Sequence, residues 1–218
     1  MGIDVNDNSA DLTLRAARIA DTEAKVLRAA AELFVGLGYS ATTLRAVAKA
    51  AGVGERTVYV RFGTKAALLK RVIDVAVVGD TEPVDVMGRE WFQTSVTAPT
   101  AAERIAAAAR GGREIMQRAG ALIGVAVQAE AIEALIAAAA QAGREATRDT
   151  MRLFWTRMAE DGLLPAGADV EWLGDTASLL GSPHTYLLMT QTLGWDFGAY
   201  EKWLRTTWTR LAAASGNA

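Results

Sequence analysis

The side chains best suited to bind a polyanion lie close together between residues 42 and 62, in the run TTLRAVAKAAGVGERTVYVRF. Arginine can donate two hydrogen bonds to a guanine edge, and threonine or tyrosine can hold a phosphate. Arg56, Thr57, Tyr59 and Arg61 supply these groups within one short stretch, and Arg45 precedes them. Such residue types are typical of a surface that recognises nucleic acid.

Two short helices joined by a tight turn would position these side chains. Leu44, Val47 and Ala48 recur at helical spacing and mark one buried face, and Gly52 then interrupts the pattern. A second helix follows, with Val58 on its inner face and the polar residues on its outer face. This pattern is typical of a helix-turn-helix whose second helix enters the major groove of DNA, but a plain helical hairpin would have the same periodicity.

The segment from about Thr22 to Val75 resembles the DNA-binding domain of the TetR family of bacterial transcriptional regulators. The run LFVGLGYSATTLRAVAKAAGV is very similar to the family signature, as is TVYVRFGTKAALL. The resemblance implies an all-α chain, with an N-terminal three-helix DNA-binding domain of the helix-turn-helix type. A larger helical domain for ligand binding and dimerisation would follow it.

The resemblance also implies contacts for individual residues. Thr43, at the start of helix two, corresponds to a phosphate contact, and Arg45 to a position that can reach a base. Glu55, Arg56 and Val60 occupy base-facing positions. The other implied phosphate contacts are Thr57, Tyr59, Arg61 and Lys65.

Three residues depart from the family pattern. Gly54 stands where many members place a capping serine, so we expect a weaker start to the recognition helix. Gly63 stands where proline is frequent, which loosens the joint to helix four. Glu55 is acidic, and it either accepts a hydrogen bond from a cytosine amino group or stays in solvent and misses the bases.

Helix one is expected to begin near Thr22, capped by Asp21 or by Thr22 itself, and to stop at the pair Gly36 and Gly38. The expected buried face of this helix comprises Val26, Ala30, Leu33, Phe34 and Leu37.

Charge divides the chain in the same way. Residues 13–75 contain 11 Lys or Arg and 5 Asp or Glu, whereas residues 76–218 contain 12 and 17. A basic segment followed by an acidic remainder suits DNA binding at one end only. We therefore expect a disordered arm over 1–12, a DNA-binding domain over 13–78 and an effector-binding and dimerisation domain over 79–214.

The composition excludes several other classes of protein. The 218 residues include no cysteine, which rules out disulfides and thiolate metal sites and fits a cytoplasmic protein. No uncharged apolar run is long enough for a membrane span. A single histidine, His184, and the absence of a nucleophile-elbow or phosphate-binding glycine motif argue against catalysis. We expect no enzyme activity, cofactor or metal.

Alanine is abundant and proline rare, so the rest of the chain is expected to be helical. We expect helices that begin at Pro83, after Pro99, at Glu130, after Asp169 and at Phe197. The fourth of these should be kinked or split by Gly181-Ser182-Pro183.

The last helix carries large side chains at helical spacing, which could fill the core of one chain or form an interface. The family resemblance implies that the last two helices make a four-helix bundle with a second copy. Two DNA-binding domains related by a two-fold axis would then read a palindromic operator in double-stranded DNA. The expected interface residues are Trp172, Thr176, Leu180, Leu187, Tyr200, Trp203, Leu204, Thr207, Trp208 and Leu211.

The resemblance further implies a small effector among the central helices. Aromatic and methionine side chains would suit a largely apolar compound, although each is more readily explained as ordinary core. The candidates are Trp91, Phe92, Met116, Phe154, Trp155, Met158, His184 and Tyr186. The sequence therefore predicts a homodimeric repressor released by an effector; the alternative is a helical adaptor or effector-binding protein without specific DNA binding.

Overall fold

The computed structural model describes residues 5–79 and 86–215, with side chains from residue 15 onwards. Within these residues the chain forms ten α-helices and no strand, which confirms the all-α prediction. None of the helices in this part of the chain is both long and apolar enough to cross a membrane. The helices are α1 (Val5–Ala41), α2 (Leu44–Ala51), α3 (Glu55–Phe62), α4 (Lys65–Val78), α5 (Glu90–Thr97), α6 (Ala101–Ala129), α7 (Ala134–Glu160), α8 (Val170–Leu180), α9 (Pro183–Leu193) and α10 (Phe197–Ala214).

The chain divides into two compact units, Met1–Val72 and Ile73–Ala218, here called the head and the body. The division falls inside α4, a few residues before the domain boundary at 78 expected from the sequence. Helix α4 is thus the covalent connection between the two units.

Helix α1 is longer than expected. It begins at Val5, so residues 5–12 are helical where we expected a disordered arm, and residues 1–4 lie outside the described range. Thr22 is inside the helix and donates its hydroxyl to the carbonyl of Arg18, so it does not cap the helix start. Gly38, at φ 78°, breaks the helical geometry near the predicted stop.

The core of the head consists of the apolar faces predicted for helices one to three, completed by α4. Val26, Phe34, Val47 and Val58 are fully buried. Leu37 is an exception, because it is 56% exposed beside the kink at Gly38. Close packing of the four helices around this small apolar core fixes the angle of α3.

The body packs α6 against α5, α7, α9 and α10, and α7 against α8. Trp91 of α5 lies directly on Gly111 of α6, where a Cβ atom would come within 2.1 Å of the indole. The predicted split before Pro183 is confirmed, since Ser182 caps α9 through a bond from the Thr185 amide.

The long helix begins at Ala134 instead of Glu130, because Glu130 is the C-cap of α6 and its amide donates to the Ala126 carbonyl. Pro83 lies outside the described residues, and α5 begins at Glu90.

Candidate nucleic-acid interface

Helix α2 begins with a side-chain cap. The Thr43 hydroxyl oxygen accepts a hydrogen bond of 3.1 Å from the Ala46 amide, in extended backbone geometry. That bond uses an oxygen lone pair, and the hydroxyl hydrogen stays available for a phosphate. Arg45, in the first turn of the same helix, is exposed.

The turn between α2 and α3 depends on Gly52, which adopts the left-handed conformation at φ 67°. Its amide donates to the carbonyls of Ala48 and Lys49 and so closes the end of α2. A side chain at this φ would be strained, which is the physical reason for glycine here.

Helix α3 presents two sharply different faces. Val58 is fully buried, whereas Tyr59 is 59% and Val60 77% exposed. Glu55, Arg56 and the two exposed side chains line a shallow open depression on the surface. The outward face therefore offers a guanidinium, a phenol, a carboxylate and an aliphatic group, which together can contact base edges and phosphates.

The start of α3 is weakly capped, as expected from Gly54. This residue has extended backbone geometry, but no side chain bonds to the first amides of the helix. Unpaired amides at a helix N-terminus carry partial positive charge and can bind a phosphate oxygen.

Arg61, expected as a phosphate contact, is paired inside the head. Its guanidinium donates to Oε2 of Glu23 in α1, through Nε at 3.1 Å and through a second, shorter bond. Arg71 of α4 donates to Oε1 of the same carboxylate at 3.1 and 3.0 Å. One carboxylate therefore joins three helices of the head.

The charge state of Glu23 fits this arrangement. Burial alone would raise the pKa of its carboxyl, but the hydrogen bonds and positive charges of Arg61 and Arg71 outweigh burial and hold the pKa below its usual range. Glu23 is therefore ionised at neutral pH.

Lys65, another expected phosphate contact, also has local partners. Its ammonium donates to the Tyr39 carbonyl at 2.8 Å and lies 4.1 Å from the centre of that tyrosine ring. The Ser40 carbonyl is 3.4 Å away. Lys65 thus anchors the start of α4 to the end of α1, and a phosphate could take only the remaining donor.

The structure therefore separates the predicted contacts into two groups. Arg61 and Lys65 are held by other parts of the head. Sequence reasoning did not find Glu23 and Arg71 as parts of this arrangement, because no local pattern signals pairs separated by 38 and 48 residues. The exposed predicted contacts are Thr43, Arg45, Glu55, Arg56, Thr57, Tyr59 and Val60.

Most of the predicted effector residues lie in the core of the body. Met116, Phe154, Trp155, Met158 and Tyr186 belong to one cluster of buried side chains on α6, α7 and α9. Phe92 is also buried, Trp91 half-buried, and His184 exposed.

Two indole groups of this core cluster lack hydrogen-bond partners. The Nε1 atoms of Trp155 and Trp208 are buried and have no acceptor among the described residues. A buried donor without an acceptor costs roughly 1 to 3 kcal/mol. Their rings flank Phe154, with centroids 5.0 and 6.4 Å from the phenyl ring.

The expected interface residues do not share one environment. Tyr200, Leu204 and Trp208 point into the core of their own chain and are 0 to 2% exposed, so they are not available to a partner and this expectation is corrected. Burial raises the pKa of Tyr200 well above its usual range, and nearby Tyr186 adds to the shift. The other expected residues are half-buried, namely Thr176, Leu180, Leu187, Trp203, Thr207 and Leu211, or exposed, namely Trp172.

Large apolar side chains are exposed on the same helices. Leu179 is 70% exposed, Leu188 64% and Leu193 54%. Trp172 was among the expected interface residues, but the three leucines were not. Their exposure depends on how α8 and α9 pack on the body, which the periodicity of the sequence does not give.

Part of the head matches a known protein family. Residues 26–72 match the family model described as bacterial regulatory proteins, tetR family. These residues form a TetR-family helix-turn-helix domain. The match covers α1 from Val26 onwards, all of α2 and α3, and α4 as far as Val72, the last residue of the head.

Most of the chain shares its fold with solved transcriptional regulators and repressors. MexZ from Pseudomonas aeruginosa, a repressor responsible for antibiotic resistance there, is 22% identical with a TM-score of 0.60, over 88% of this chain and 96% of MexZ. PfmR, a TetR family regulator from Thermus thermophilus, is 18% identical with a TM-score of 0.59, over 86% of this chain and 93% of PfmR.

A transcriptional regulator from Pseudomonas aeruginosa PAO1 is 18% identical with a TM-score of 0.67, over 88% of this chain and 91% of that protein. No curated protein matches the chain.

Proposed function

We propose that this chain is a homodimeric transcriptional regulator whose helix α3 reads the major groove of an operator. The observation that carries the proposal is the TetR-family domain, with Val58 buried and the polar face of α3 exposed. In this role Arg56 reads a base edge, while Thr43, Thr57 and Tyr59 hold phosphates.

A second copy of the chain completes the proposed regulator. Exposed Leu179 and Leu188 on α8 and α9 supply apolar surface that a two-fold related copy would cover. Two heads in one dimer would then bind the two halves of a palindrome.

The body is proposed to bind a small, largely apolar effector that releases DNA, so that the protein is a repressor. The aromatic core cluster supports this role, because it holds two indole donors that an acceptor on a ligand would satisfy. Trp155 and Trp208 would then give orientation, and Met116 and Phe154 would give apolar contact.

Helix α4 is the proposed link between effector and DNA. Arg118 of α6 donates to the carbonyls of Ala76 and Val77 at 3.1 Å each, so the body holds the last turn of α4. An effector that favours another position of α6 would shift α4 and the spacing of the heads. By linkage, DNA would weaken effector binding by the same factor.

The first test selects duplexes from a random-sequence pool with the purified protein and measures binding across a salt series. We expect selective binding and a salt slope that reports several phosphate contacts. Arg56→Ala should abolish selectivity, while Arg110→Ala, on an exposed position of α6, should leave it unchanged. Failure to bind any duplex at low salt would contradict the proposal and favour a helical adaptor.

Two further variants separate base from phosphate contacts. Arg45→Ala should relax preference at one base pair by roughly 1 to 3 kcal/mol, and Tyr59→Ala should weaken all sequences alike. Equal losses on selected and random duplexes for Arg45→Ala would exclude the base-reading role.

The dimer is tested by sedimentation of a double variant, Leu179→Glu with Leu188→Glu. We expect monomers where the parent protein is dimeric, because the charges would be desolvated in the interface. Leu135→Glu, which changes an exposed apolar residue of α7, is the matched control. Dimers that persist in the double variant would place the interface elsewhere.

A further inference from the structure

The ion pairs of Glu23 join the recognition helix to the rest of the head. Its two carboxylate oxygens are divided between two arginines, with Arg61 of α3 on Oε2 and Arg71 of α4 on Oε1. The Glu23 and Arg61 side chains are only 19% and 27% exposed. Both arginines are thus committed to a carboxylate within the domain.

The position of Arg61 on α3 explains why it pairs inwards. Successive helical residues are rotated by about 100°. Arg61 therefore lies about 60° from buried Val58, whereas Arg56 and Val60 lie within about 40° of the opposite side. The side chain leaves the helix on the flank that faces α1.

A phosphate would have to displace a good partner to capture this arginine. Charge-assisted bonds of a guanidinium to a partly buried carboxylate are stronger than neutral hydrogen bonds. After displacement Glu23 would keep only Arg71 and would lie near the phosphate, which it repels.

We propose that Glu23 is a positioning residue that withholds Arg61 from DNA phosphates and holds the recognition helix on α1. This inference rests on the proposed DNA-binding function. Sequence preference then depends on the outward residues of α3, and Arg61 adds nothing to phosphate binding in the native head.

The salt dependence of binding to random-sequence duplex DNA tests the inference. Arg61→Gln alone should leave the salt slope unchanged. Glu23→Gln should steepen it by about 0.9 for each head that gains a phosphate contact. Adding Arg61→Gln to Glu23→Gln should restore the original slope, which distinguishes Arg61 from Arg71.

Matched controls separate positioning from a general change of charge. Glu32→Gln removes an exposed carboxylate from α1 and should leave the slope unchanged. Arg71→Gln, which keeps the Glu23–Arg61 pair, should do the same. Glu23→Gln should also lower the ratio of selected to random binding, because α3 loses its anchor.

Two results would overturn the inference while leaving DNA binding intact. One is a slope for Arg61→Gln alone that falls by about 0.9 per head, since Arg61 would then reach phosphates in the native protein. The other is equal slopes for Glu23→Gln and Glu32→Gln. A native protein that binds neither duplex at low salt would overturn the proposed function and this inference together.

Discussion

The head and the body differ in whether their buried polar side-chain atoms have hydrogen-bond partners. In the described part of the head, every fully buried side-chain donor or acceptor has a hydrogen-bond partner. The body leaves the indole donors of Trp155 and Trp208 unpaired in an aromatic core. The head thus satisfies its buried polar groups internally, whereas the body retains two buried donors that only an added acceptor would satisfy.

The largest expected change in stability comes from Gly111→Ala, which tests how tightly the body is packed around its unpaired donors. In Gly111→Ala the new Cβ would lie 2.1 Å from Cε3 of Trp91, so the indole or α6 must move. We expect a loss of about 2 to 3 kcal/mol in the free energy of unfolding, measured by urea denaturation.

Gly143→Ala is the matched control, since a Cβ there meets nothing within 4 Å in the middle of α7. Alanine should stabilise the helix at that position by about 0.5 to 1 kcal/mol. Equal effects of the two substitutions would show that the α5–α6 contact is looser than the structure indicates.

The next test concerns a satisfied polar group of the head. Thr42 is fully buried, and its hydroxyl lies 2.8 Å from the Gly38 carbonyl and 3.1 Å from that of Leu33. Thr42→Val keeps the shape of the side chain but removes this donor, so we expect unfolding to become easier by about 1 to 2 kcal/mol.

Thr206→Val provides the comparison in the body, because the Thr206 hydroxyl bonds to the Lys202 carbonyl on an exposed face where water can replace it. Its effect should stay within about 0.5 kcal/mol. If Thr42→Val left the free energy of unfolding unchanged, the proposed difference between the buried polar groups of the head and those of the body would not hold.

Local sequence signals explain why the helix-turn-helix segment could be predicted. Helices α2 and α3 and the turn at Gly52 depend on spacing within a few residues, and the structure has them where the sequence predicts them. The position of Arg61 on the flank of α3 also follows from the sequence, because Arg61 is three residues after Val58. Its pairing with Glu23 was not, because a contact over 38 residues depends on how α1 packs.

The same limit explains the errors in the body. A stripe of large residues at helical spacing marks a buried face, but it does not say whether the same chain or a second copy buries it. Tyr200, Leu204 and Trp208 are buried by their own chain. The start of α1 was placed too late because Asp21 and Thr22 are good capping residues, although residues 5–21 contain no glycine or proline that would interrupt a helix.

The smallest expected change in stability comes from Glu23→Gln, which removes the charge that pairs with Arg61 and Arg71 in the head. Glu23 has a folded pKa below its usual range, so its ionisation stabilises the head above the unfolded pKa of about 4.3. This stabilisation disappears as the pH falls through the folded value. Near neutral pH, Glu23→Gln should lower the free energy of unfolding by about 1 kcal/mol.

As the pH falls below about 4.3, the difference between the native protein and the variant should shrink, because glutamine does not titrate and protonated Glu23 no longer pairs with Arg61 and Arg71. Urea unfolding at a series of pH values measures this convergence. Glu32→Gln, on the exposed side of α1, should show no such trend. A difference that persists unchanged at acid pH would mean that Glu23 stabilises the head through packing and not through its charge, and the head would then lack the electrostatic anchor that sets it apart from the body.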